Sequence, residues 1–230
     1  MRLFLTPVII ALAMLSTYGV QAAGWSDISN QDAVAGLKEA LSKGSQAAVQ
    51  QLGAENGFFG NEKLRIPLPE SLQKVEGMMR RFGMGSQADE LVLRMNRAAE
   101  AAMPEARALL VNAIRQMSIQ DAKGILTGGE DAATQYFRRT TSTPLAEKFL
   151  PIVRKATAKV KLAERYNAFV ETGSRFGLVK GEDANLENYV TRKALDGLYL
   201  AIAEQEKKIR ADPAGTASSI IRKVFGSLGR

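Results

Sequence analysis

The side chains of this chain whose types and spacing could do chemistry are carboxylates and amides rather than nucleophiles. Its 230 residues contain no histidine and no cysteine. That absence rules out Ser-His-Asp and Cys-His catalysis and leaves no imidazole to act as a base near neutral pH. It also excludes an ordinary zinc site, which takes nitrogen and sulfur ligands. Acid–base work would fall to Asp, Glu, Lys or Tyr, and the candidate catalytic groups are Glu100, Asp121 and Asp131. The candidate ligand-binding residues are Asn96, Arg97, Gln135 and Tyr136.

In the Asn96-Arg97-x-x-Glu100 stretch, Asn96 and Glu100 lie four apart and share one helical face. They could form a polar site with Asp121 or Asp131 brought near by the fold. The preferred reading is structural: Ala98, Ala99, Ala101 and Ala102 pack closely, and the polar residues fix helix contacts through a buried ion pair. Asp121 and Ser118 have the spacing of a capping box. Glu130 and Asp131 follow the Gly128-Gly129 break, where acids complement a helix dipole and would repel an anion. Gln135, Tyr136, Arg138 and Arg139 could line a groove, although a packed Tyr136-Phe137 pair is the commoner role. Asp183, Asn185 and Glu187 suggest a calcium loop, but Asn188 and Ala194 stand where that loop needs Gly and Glu. No metal and no cofactor are expected.

The elements that position these residues are helical. Ala33, Leu37, Leu41, Ala48 and Leu52 form an apolar stripe that predicts a helix over 32–52. A loop follows to Pro69, then a helix to Phe82 that Gly83 ends. Ser86 with Asp89 predicts a capped helix to Met103, and Pro104 the start of another to Met117. A short helix over 118–126 precedes the glycine break, and Glu130 or Asp131 starts the next helix. The longest element is expected over 144–176, kinked or divided at Pro151. After a loop over 177–184, helices are expected over 186–211 and from Pro213 to about Phe225. No strand-like alternation survives this scan.

Met1-Arg2, the apolar run Leu3–Leu15 and the small residues of Val20-Gln21-Ala22 have the pattern of a cleaved secretory signal peptide over residues 1–22. Its apolar stretch is short of the roughly 20 residues that a membrane span needs. The expected location is therefore the periplasm, and no disulfide can staple the chain there, so stability must come from apolar burial. The formal charge is +7, and +6 without Arg2. In an envelope compartment this favours anionic lipid head groups or cell-wall polymers over nucleic acid.

Ile66-Pro67-Leu68-Pro69, Asn96-Arg97-Ala98-Ala99-Glu100-Ala101-Ala102, Asp121 through Gly129, and Ala132 through Phe137 together carry a resemblance. They are similar to the bacterial domain-of-unknown-function family 4197, from about Ala33 to Ile209. The resemblance implies an exported helical protein and supplies no catalytic residues. Glu70-Ser71 resembles the Glu-Ser pair of helical cell-wall lytic enzymes, with no other element of that pattern beside it.

The resulting expectation is an all-α single domain over 23–230, a bundle of about seven to nine helices. The favoured function is a non-enzymatic binding or accessory protein of the envelope. A lipid-like or other apolar molecule could lie between helices near Met78, Met79, Met84, Met95, Met103 and Met117. A carboxylate-dependent enzyme acting on an envelope or cell-wall substrate is one alternative. A scaffold acting through a surface patch, in peripheral contact with a membrane or an envelope protein, is the other.

Overall fold

A computed structural model describes residues 30–83, 85–158, 163–164, 167, 185–213 and 218–226. The expected signal peptide, the methionine at 84 and the expected loop over 177–184 lie outside the described residues. The described residues are helical, with no strand among them. They form α1 (Asn30–Gly53), α2 (Glu70–Arg81), α3 (Gly85–Gln116), α4 (Ile119–Thr127), α5 (Ala132–Thr157), α6 (Leu186–Ala211) and α7 (Ser219–Gly226). No helix among them is long and apolar enough to cross a membrane.

The 32-residue α3 is central: it packs on α1, α5 and α6, and α2 lies beside its start. Its buried face is built largely of alanine: Ala98, Ala99, Ala102 and Ala106 are all fully buried. Side chains this small let neighbouring helices approach closely, and Ala is the strongest helix former. This explains the first departure from the expected division. Pro104 does not open a new helix but lies inside α3, whose burial on both sides of it offsets the cost of a mid-helix proline. Similarly, α5 runs unbroken through Pro144 and Pro151. The division into helices is thus coarser than expected.

The expected cap at Ser86 is also absent. The helix has already begun at Gly85, and the Asp89 carboxylate is held instead by Arg80 of α2 at 2.6 Å. The chain between α2 and α3 turns at Gly83, whose left-handed φ of 75° suits a residue without a Cβ.

Along α5, Leu145, Phe149 and Val153 are fully buried. Along α6, Val190, Ala194, Leu198 and Ile202 continue the same core. Ile221, Val224 and Phe225 fasten α7 onto α1, while Arg222 and Lys223 face outward. Met95, Met103 and Met117 are buried core residues, so these methionines fill space rather than surround it.

Candidate functional site

The structure disperses the sequence candidates and gives each a structural partner. Asn96, fully buried, acts as a two-way clamp on the 54–69 loop. Its Oδ1 accepts the Ile66 backbone N–H at 2.8 Å, and its Nδ2 donates to the Ile66 carbonyl at 2.9 Å. Glu100, 4% exposed, accepts the backbone N–H groups of Phe58 and Phe59, each at 3.1 Å. Arg97 donates to the other Glu100 oxygen at 2.6 Å and reaches Asn56 at 2.9 Å and Glu55 at 3.1 Å. Asn56 sits at a positive φ of 67°, which Asn tolerates better than most residues. The Asn96–Glu100 face therefore replaces the hydrogen bonds that a loop crossing a helix would otherwise lose.

Asp121 and Ser118 form the expected reciprocal capping box at the start of α4. The Ser118 hydroxyl and backbone N–H, followed by the charge of Arg139, hold the Asp121 carboxyl below its ordinary range. Asp131 precedes α5 without capping it and accepts from Gln135 at 2.9 Å. Tyr136 is buried and donates to the Ala113 carbonyl at 2.7 Å. Burial and the Asp121 charge push its phenol above the ordinary value. Glu70 is exposed in the first turn of α2. Among the described residues no group of three or more carboxylates converges to hold a metal ion. Glu100, Asp121 and Asp131 are thus engaged in separate structural bonds.

One buried carboxylate, Glu206, escaped sequence reasoning, and another, Glu187, was read there only as part of a calcium loop. Glu206 of α6 reaches the start of α5, accepting the backbone N–H groups of Ala133 and Thr134 at 3.0 Å. It supplies the cap that Asp131 does not, with Arg210 beside it at 2.8 Å. Glu187 is bonded by Asn167 at 3.0 Å and the Thr157 hydroxyl at 3.3 Å, which consumes the one calcium-loop carboxylate among the described residues. The signal for Glu206 was its position: 195, 199, 202 and 206 continue one buried line along α6.

What the helices leave open is a groove of about 530 Å³ between α5 and α6. One wall is Ser142, Thr143, Ala146, Glu147 and Leu150 of α5. The other is Asn188, Thr191, Arg192 and Leu195 of α6. Pro144 falls within the lining part of α5 and Pro151 follows directly after it. Ser142, Thr143, Ala146 and Thr191 are the short side chains of its lining. Thr191 is 5% exposed, and its hydroxyl has no hydrogen-bond partner among the described residues.

No curated protein and no solved structure matches the chain. The model of one family matches residues 27–226. The chain belongs to that family, described as a protein of unknown function, DUF4197.

Proposed function

We propose that this protein is an exported, non-catalytic binding protein of the cell envelope that holds an apolar-chain ligand between α5 and α6. The observation that carries the proposal is the groove itself. Its volume of about 530 Å³ lies within the roughly 300–1,000 Å³ of small-molecule sites. Ala146, Leu150 and Leu195 give it apolar walls, and a few polar groups at fixed places complete the composition that such sites use. This moves the ligand away from Met95, Met103 and Met117, which are packed into the core.

The engagement of Glu100, Asp121 and Asp131 in separate structural bonds weighs against carboxylate catalysis. Phe82, Ile119 and Leu200, the exposed large apolar residues among those described, stand singly and offer no broad docking patch. Export rests on the signal-peptide pattern of residues 1–22.

The test is native mass spectrometry of the protein purified without detergent from the envelope fraction. The proposal expects a reproducible extra mass that extracts into organic solvent and disappears in an Ala146→Trp variant, whose indole fills the groove. A clean apo mass, or an extra mass unchanged by the substitution, would count against it.

A further inference from the structure

A second cavity, of about 280 Å³, opens between residues 63–67 and the stretch of α6 that carries Lys193, Asp196, Gly197 and Leu200. Its loop wall is fixed from two sides. Asn96 holds Ile66, and the Tyr189 hydroxyl donates to the Pro67 carbonyl at 3.0 Å. Gly197 brings no side chain to the cavity, and a Cβ there would strike the Phe58 ring. Three cations line the space, Lys63, Arg65 and Lys193, against one acid, Asp196. Arg138 engages Asp196 at 3.2 Å, and Lys63 lies 3.8 Å from Glu204. Among the described residues, Arg65 and Lys193 have no carboxylate within ion-pair distance. They lie instead over aromatic rings, Arg65 at 4.5 Å from the Phe59 centroid and Lys193 at 5.8 Å from that of Tyr189. Asp89, which feels the Arg65 charge, is bonded to Arg80. The lining and its paired neighbours thus carry four cations and two acids, which leaves two positive charges over.

We infer that this cavity is a binding site for a phosphate group, with Arg65 and Lys193 donating to its oxygens. Both side chains offer only N–H donors, and a guanidinium fork beside an ammonium suits the several acceptor oxygens of phosphate. Resting on rings, they lose less freedom on binding than unsupported surface cations do. Asp196 in the lining disfavours a dianion, so a singly charged diester fits better than a monoester. Pro67 and the 43% exposed Leu200 add apolar surface beside the cations. That favours a diester carrying an apolar substituent, the chemistry of a phospholipid head group, over free phosphate. The site shares no lining residue with the α5–α6 groove and does not depend on the binding role proposed for it.

Isotope-labelled protein is titrated with monomeric dihexanoyl-phosphatidylglycerol and, separately, with inorganic phosphate, and amide shifts are followed by NMR. Both probes should move the amides of Leu64, Arg65, Lys193 and Gly197, with the lipid binding about tenfold tighter through its apolar part. Replacing Arg65→Gln together with Lys193→Gln should weaken the lipid at least about tenfold, as for lost hydrogen bonds between charged groups. Arg154→Gln with Lys155→Gln, which removes the same charge from an exposed stretch of α5, should leave it unchanged. Ala146→Trp, which fills the groove, should also leave these shifts unchanged. Equal affinity for the two probes would uphold the phosphate site and make free phosphate its ligand. An equal loss in the two double variants would overturn the inference by reducing it to general charge attraction. So would the absence of shifts at these amides, including shifts confined to residues 142–150 and 188–195, which would report the groove alone.

Discussion

Glu206 receives both the backbone N–H and the side-chain hydroxyl of Thr134, each at 3.0 Å, across 72 residues of sequence. This carboxylate joins α6 to the start of α5, the two helices that line the groove. Glu206→Ala would strand the two N–H groups at Ala133 and Thr134 and leave the Arg210 guanidinium, 17% exposed, without its nearest carboxylate. The expected loss is about 3–5 kcal/mol, read as a shift in the chemical denaturation midpoint.

Asn96→Ala removes both hydrogen bonds to Ile66 and opens a small void at a fully buried position. The expected cost is about 2–4 kcal/mol. Amide exchange would accelerate at Phe58, Phe59 and Ile66 before it changes along α5. Glu100→Gln should behave likewise, as a stability variant that leaves ligand binding at the α5–α6 groove intact.

Asp121 gives the chain a pH-dependent contribution whose sign is fixed. Its folded pKa is depressed, chiefly by the Ser118 hydroxyl, so its contribution is fully present above the unfolded carboxyl value of about 3.9. It is lost as pH falls through the lower folded value. Asp121→Asn should therefore cost about 1 kcal/mol at neutral pH, and the gap from wild type should close as acidification passes the unfolded carboxyl value and then the lower folded one. Denaturation curves of both proteins across that range measure it.

Gly197 is in contact with the fully buried ring of Phe58, and a Cβ there would lie 2.5 Å from the ring's Cε1. The ring sits in a closed core between the loop and α6 and has little room to retreat. Gly197→Ala should destabilise by about 1–3 kcal/mol despite the better helix propensity of alanine. Thermal melts compared with Gly124→Ala, where a Cβ meets nothing within 4 Å, separate the packing clash from the propensity gain.

The helices were legible because apolar spacing and cap chemistry are local signals. The 186–211 helix and the Ser118–Asp121 box emerge as expected for that reason. Prolines misled because a local rule against them cannot weigh burial elsewhere: α3 and α5 run through Pro104, Pro144 and Pro151. The Asn96–Glu100 pair was found, and its role as a loop clamp fits the packing alternative. Glu206 was hidden in a charged sequence, Glu204 to Lys208, that reads as a solvated helix end. Its partners lie more than 70 residues away.

The central claim is that a ligand lies between α5 and α6, and photo-crosslinking tests it most directly. A dodecanoate analogue carrying a diazirine in its chain is irradiated with the purified protein, and the labelled peptides are mapped by mass spectrometry. The account predicts label on residues 142–150 and 188–195, displaced by excess dodecanoate and absent in Ala146→Trp. Label concentrated on other helices, or spread over the surface and insensitive to competitor, would contradict it.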